Sequence, residues 1–396
     1  MVQNKGFIFK QVPKGVPVPG QDLVVEARDF DPEQAPPSGG ITTKNFFASF
    51  DPYQRGLMRE PETRSYFPAY TLGQPITNSA VAKVLKSDSA DFQAGDLVYG
   101  NIPTEEYSAL EKEALAAVRV IDNPYNLDLK VFTGALGMPG LTAYSSLYEI
   151  GKPQKGETIF ISAASGAVGQ IVGQLAKHEG LRVIGSVGSD EKLDFIIDEL
   201  KYDGGFNYKK ENPLEALRRL APDGIDIYYE NVGGEQLEVA LEVMNDFGRI
   251  VACGMVSEYN SEPDQRYGIR NLMYIVAKRI SFRGFIVGDK NMGPLHFEEQ
   301  YRNVSKWLHD GTFKARISVT EGIDNAPEGF VGMLQGKNFG KAVLKIADPE
   351  VSSGDSEDGK VTNLGEMFCF CFDATRIAGD TGGVSGCQGG WLRPTF

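Results

Sequence analysis

Two rhythms of apolar and polar positions divide the chain. Up to about residue 130 the apolar positions fall in short β-type runs, DLVVEARDF, KNFFASF, ITNSAVAKVLKS and GDLVYG, each soon cut off by Pro or Gly. Turn signals at that density predict a compact β-rich barrel or sandwich. From about 131 strands alternate with helices. The strands are TIFISA, RVIGSV, IDIYYEN, RIVACG and ISFRGFIVG, and helical spacing appears at 167–178, 190–200, 212–220 and 235–246. Such alternation predicts βαβ units, hence an α/β fold with a Rossmann, doubly wound parallel sheet beside the β-rich domain. One more helix is expected at 296–310, after which ISVTEG and GKAVLKIAD return to β-type runs. The expected organisation is therefore a β-rich domain at 1–130, completed by about 311–348, and a dinucleotide-type domain at 131–310. A polar, glycine-rich tail at 349–396 is expected to be disordered.

Composition changes this picture little. A net charge of −13 disfavours a nucleic-acid partner, since phosphate binding needs clustered Lys and Arg. No apolar run reaches membrane-spanning length and the N-terminus lacks a signal-peptide core, so a cytoplasmic location is expected. Four cysteines, at 253, 369, 371 and 387, make a disulfide framework improbable on their spacing.

The first candidate chemistry lies in ISAASGAVGQIVGQLAK, where glycines recur at 166, 169 and 173 between a strand and a helix. A turn of this kind either cradles a dinucleotide pyrophosphate on the helix N-terminus or packs the helix closely on the sheet. The second strand follows about twenty residues on and ends at Gly185 and Ser186, with no acidic residue to hold an adenosine ribose. Lys192 stands on the next helical turn, close to where a 2′-phosphate would lie, so the reading is NADPH rather than NADH. Asp190 is taken as that helix's cap.

Several motifs occur in one order: LGMPGLTAY (136–144), AASGAVGQIVGQLAK (163–177), VGSDEK (187–192), FNYKK (206–210), YYENVGG (228–234), MNDFGRIVACGMVSEYN (244–260) and GKNFGKAV (336–343). Together they closely resemble the zinc-independent medium-chain reductases known as alkenal double-bond reductases or leukotriene/prostaglandin reductases, over roughly residues 5 to 348. The resemblance implies a GroES-like β domain beside a Rossmann domain. It implies NADP contacts at Gly166, with Gly169 in the same turn, and at Lys192, Tyr208 and Asn231, the Lys and Tyr at the 2′-phosphate. It places Cys253, Gly254 and the segment to Tyr259, the strand end Phe285, Ile286 and Val287, and Asn338 on the nicotinamide side. It also implies a homodimer paired through sheet edges, with ISFRGFIVG as the edge strand. Chains of this kind usually end near the position of Asp348, so the tail departs from the pattern.

A catalytic zinc needs converging Cys and His ligands. The first domain has neither residue, and the three histidines are His178, His296 and His309, so no metal is expected. Without zinc, reduction of a carbon–carbon double bond is easier to support than ketone–alcohol interconversion. Hydride adds to the β-carbon of an enone or enal, and the carbonyl oxygen takes enolate charge. Tyr259, just after a sheet strand, is the candidate proton donor, or else it only lines the pocket. Tyr53, in FDPYQRGLM, either meets the enone by stacking or hydrogen bonding or is packed beside Pro52. Arg55 and Arg59 could pair with an acidic substrate tail, but solvated arginines are commoner and the two are left out of the site. The leading expectation is an NADPH-dependent 2-alkenal/enone reductase acting on a small molecule. The alternatives are a zinc-free quinone reductase and a catalytically idle NADPH-binding protein.

Overall fold

The computed structural model describes residues 1–349, and the expectation of disorder in the tail falls outside the described residues. Short runs broken by Pro and Gly gain stability only by pairing. β1 (Val2–Phe9) and β2 (Leu23–Phe30) form an antiparallel pair. β3 (Ile41–Ser49), β4 (Thr77–Ser87), β5 (Leu97–Pro103), β6 (Tyr107–Leu110) and β7 (Val118–Val120) build a second antiparallel sheet, and the one-turn helix α1 (Gln54–Leu57) follows β3. Phe7, Phe50 and Phe330 meet at its centre, with ring centroids 5.7–6.1 Å apart.

The second rhythm folds as a six-stranded parallel sheet. α2 (Met138–Ser146) precedes β8 (Thr158–Ile161); then come α3 (Gly169–His178), β9 (Arg182–Val187), α4 (Asp190–Asp194), β10 (Gly204–Asn207), α5 (Pro213–Leu220), β11 (Ile225–Glu230), α6 (Gly234–Val243), β12 (Met244–Ala252), α7 (Met273–Ala277), β13 (Ser281–Gly284) and α8 (Gly293–His309). The spatial order β10-β9-β8-β11-β12-β13 is the doubly wound Rossmann order, with its switch point between β8 and β11. α2, α7 and a later helix, Ala326–Leu334, have no counterpart among the expected helices, and three further elements differ from expectation. β10 was not predicted, because GGFN carries two glycines and no alternation. The helix expected to 246 stops at Val243, where Met244 pairs in register with Ile225 and Asn245 Nδ2 donates to Asp226 Oδ1 at 2.8 Å. ISFRGFIVG leaves the sheet at Gly284, opposite Ala252, the last residue of its partner strand.

β14 (Ile317–Glu321), the helix α9 (Ala326–Leu334) and β15 (Lys341–Lys345) end the described chain. β15 pairs antiparallel with β3, and β14 lies parallel outside it, so the barrel sheet has seven strands. Among the described residues no helix is long and apolar enough to cross a membrane.

Candidate active site

The three glycines after β8 have different tasks. A Cβ on Gly169 would stand 2.5 Å from the Ala163 oxygen, so this glycine lets α3 start hard against the strand. A Cβ on Gly173 would stand 2.0 Å from the Tyr202 hydroxyl, whose proton goes to the Gly169 oxygen at 2.9 Å. Gly173 is thus a packing glycine. Gly166 is open by comparison, meeting only the Ala163 oxygen at 3.1 Å, and Val168 gives α3 no side-chain cap. The turn therefore leaves the helix N-terminus available to an anion. Gly173→Ala is expected to destabilise the fold by about 1–3 kcal/mol through Tyr202 while leaving NADPH affinity within about twofold; thermal melts and fluorescence titration check the two halves.

At the end of β9 the cap expected at Asp190 is supplied by Ser189, whose Oγ accepts from Lys192 N at 3.3 Å. Ser189 has the extended backbone that a cap needs, whereas Asp190 is already helical and turns its carboxylate to Asn207 Nδ2, at 2.8 Å, and to Lys210. Lys192 Nζ donates to the Gly336 carbonyl at 2.8 Å. Burial and the neighbouring Lys209 hold its ammonium below the usual lysine range. Exposed Tyr208 lies over Gly188, where a Cβ would come 3.0 Å from its oxygen. Lys192, Tyr208 and Lys209 thus surround a strand end with no carboxylate on it. Lys209 was not singled out, although its place beside Tyr208 in FNYKK was the available signal.

Asn231 ties the switch point together. Its backbone N–H donates to Ser162 Oγ at 2.9 Å and its Nδ2 to the Ser162 carbonyl at 2.7 Å. Glu230, fully buried, accepts from the N–H groups of Val232 and Gly233 at 2.6 and 2.9 Å, and burial pushes its carboxyl up. The Glu230 carbonyl accepts from the N–H groups of Cys253 and Gly254, both at 3.0 Å, which seats the end of β12 beside this point.

Cys253 is half-buried and its thiol is pushed up to about 12 by burial, so it is protonated at neutral pH and a poor nucleophile. Tyr259 follows the turn Val256–Glu258, and a Cβ on Gly254 would lie 2.9 Å from its hydroxyl. Burial, then Cys253, pushes this phenol up to about 12. Phe285 packs into the core beyond β13, Ile286 N–H donates to Asp289 Oδ2 at 3.2 Å, and the Val287 carbonyl accepts from Gly293 at 2.8 Å. Asn338 Nδ2 donates to the Gly340 carbonyl at 2.7 Å, and Gly340 forms a β-bridge with Gly166, so this loop lies on the glycine turn.

From the barrel side come Tyr53 and a run of aromatics. The Tyr53 ring lies 6.2 Å from Phe67, itself 5.1 Å from Tyr66. The Tyr66 phenol is within electrostatic reach of Tyr53, Cys253 and Tyr259, which links the two candidate tyrosines. The arginines are not solvated as expected. Arg55 donates to the Gly15 carbonyl at 2.7 Å and to Asn260 Oδ1 at 3.1 Å, clamping the residue after Tyr259 to the barrel. Arg59 donates to the carbonyls of Gly56, Thr63 and Phe67 and so shapes the aromatic loop. The partners of Arg55, 40 and 205 residues away, leave no local signal in the sequence.

A bare strand end, two lysines, an open glycine turn and an uncapped helix suit a 2′-phosphorylated dinucleotide. Residues 5–118 match a family described as N-terminal domain of oxidoreductase, and residues 167–310 match one described as zinc-binding dehydrogenase. The NADP-dependent oxidoreductase RED1 of Cochliobolus heterostrophus is 54% identical over 348 residues, covering 88% of this chain and 99% of that protein. The chain belongs to the zinc-independent medium-chain dehydrogenases/reductases, a family of NADP-dependent oxidoreductases. An NADP(+)-dependent 2-alkenal reductase of Nicotiana tabacum is 42% identical, covering 87% of this chain and 98% of that one. Among solved structures, CurA of Vibrio vulnificus in complex with NADPH superposes with a TM-score of 0.77 at 31% identity, covering 87% and 100%. Among the described residues no group of three or more His, Cys, Asp and Glu is placed to hold a metal. His296 pairs with Glu149 at 2.9 Å, His178 lies 4.9 Å from the Trp307 ring, and His309 stacks on Tyr125.

Proposed function

We propose that this oxidoreductase uses NADPH to reduce the carbon–carbon double bond of α,β-unsaturated aldehydes and ketones. The observation that carries the reading is the Tyr259 hydroxyl, half-buried over Gly254 at the strand ends and protonated up to a pH of about 12. The tobacco relative named as a 2-alkenal reductase supports the same class. With the cofactor bound, Lys192, Tyr208 and Lys209 would hold the 2′-phosphate, the turn at Gly166 and Gly169 would receive the pyrophosphate, and Asn231, Cys253, Gly254, Phe285–Val287 and Asn338 would lie on the nicotinamide side. The bound cofactor supplies a hydride. Tyr259 donates a hydrogen bond to the carbonyl oxygen as enolate charge develops, and a proton reaches the α-carbon from Tyr259 or from water. Because the phenol is raised rather than lowered, it does not deprotonate in the ordinary working range, and no alkaline loss of rate below about pH 10 is assigned to it.

Tyr259→Phe is expected to lower turnover about tenfold or more with NADPH affinity intact; near-normal turnover would remove the donor role. The reading as a whole is tested by NADPH oxidation with enones and, separately, quinones, with product mass showing which bond was reduced. Oxidation with quinones alone would favour the quinone reductase, and no oxidation with either would favour an idle binder. We further propose a homodimer, supported by the edge position of β13 and the exposed Met273, Val276 and Leu295.

A further inference from the structure

Lys341 is 2% exposed and Asp51 3%, a depth at which charged side chains are rare. Their ion pair, 3.0 Å from Nζ to Oδ1, is weak evidence for stability, because two apolar residues often serve as well. What the pair holds in place is more informative. Lys341 Nζ also donates to the Phe50 carbonyl at 2.5 Å. Asp51 Oδ2 accepts from Ser49 Oγ at 2.5 Å and from Asn78 Nδ2 at 2.9 Å. Asn78 Nδ2 donates in addition to the Ser49 carbonyl at 2.9 Å. Both partners of that amide nitrogen are acceptors only, so the amide has one possible orientation and its oxygen must face the other way. That oxygen is where Tyr53 Oη donates, at 2.7 Å.

The Tyr53 proton is therefore committed to the scaffold. Burial pushes the phenol well above its usual range, so the proton is not lost by ionisation. Lys341 begins β15 directly after Gly340, the residue bridged to Gly166 in the cofactor turn. Two adjacent residues thus meet the two sides of the site: Gly340 bridges to the cofactor turn, and Lys341 pairs with Asp51, which is joined through Asn78 to the barrel-side tyrosine.

We propose that Lys341 is a positioning residue for Tyr53, acting through Asp51 and Asn78 to fix the phenol as a donor to the protein. The substrate then meets the ring face and the oxygen lone pairs of Tyr53 and never its proton, which leaves Tyr259 as the donor to the carbonyl. This rests on the proposed function only in taking Tyr53 as a wall of the substrate site.

A double-mutant cycle tests it. Asn78→Leu cuts the relay while sparing the ion pair, and Tyr53→Phe removes the hydroxyl that the relay orients. Each is expected to raise KM about tenfold with kcat less affected, and the double variant is expected to be no worse than the poorer single one. NADPH affinity, read by nicotinamide fluorescence without substrate, is expected to stay unchanged in all four proteins. Lys341→Met repeats the KM effect in the native background and not in Tyr53→Phe, and Lys341→Arg restores it in part. If Asn78→Leu fails to fold, Asn78→Ser takes its place in the cycle. Additive losses, or a KM effect matched by lost NADPH affinity, would overturn the positioning role. Should the native protein turn over quinones and not enones, the proposed function fails while the same cycle is run with the quinone, so the two failures are told apart.

Discussion

Lys341→Met is expected to lower the unfolding free energy by about 3–5 kcal/mol, read as a lower urea midpoint at unchanged slope. The loss is of this size because the partner is left behind. Asp51 would keep Ser49 and Asn78 as donors but lose the ammonium of Lys341, and at 3% exposure it has little water to turn to. The Phe50 carbonyl would lose its ammonium donor as well. The cost can be separated from mere loss of packing by a second variant. Lys341→Met combined with Asp51→Leu removes both charges and is expected to recover a large part of the loss. A single-variant loss under about 1 kcal/mol would mean that water reaches the pair, against the burial seen here.

Lys192→Met is expected to weaken NADPH binding about 10- to 100-fold and to leave NADH binding within about threefold. The asymmetry follows from the bare end of β9. On the proposed placement the adenosine ribose would meet no carboxylate there, so the 2′-phosphate charge and the lysines beside it would supply the discrimination. Lys209, adjacent to Tyr208, is expected to retain part of the preference. Titration of both cofactors at low and high salt checks this, since a phosphate contact weakens as salt rises. Equal losses for NADPH and NADH would assign Lys192 to holding the Gly336 loop instead.

Much of the architecture was readable from spacing alone. Five of the six Rossmann strands announce themselves as apolar runs, and the missing one, β10, is two glycines and two residues whose strand character comes from pairing with β9. α2 escaped for the opposite reason. Its residues are buried on nearly every side, so it carries no polar face to give a helical period. The glycine turn was legible as a motif, but its division of labour was not. That Gly173 receives a tyrosine depends on Tyr202, which no local pattern connects to it. In the same way Arg55, Tyr66, Asn78 and Lys341 looked like ordinary barrel and strand residues. Their roles depend on partners on other segments, such as Asn260 for Arg55 and Phe50 for Lys341.

The pairing of β15 with β3 has a consequence for how the chain is made. Lys341 and the Phe50 carbonyl it binds are 291 residues apart, so the barrel sheet stays incomplete through most of translation. When the ribosome has released the Rossmann segment, β3 is paired with β4 and, over Ile41–Lys44, with β6, but its stretch Phe47–Ser49 still presents an unpaired edge that β15 covers. At roughly 5–20 residues per second that edge is open for tens of seconds, long enough for chaperone capture or for pairing with another nascent chain.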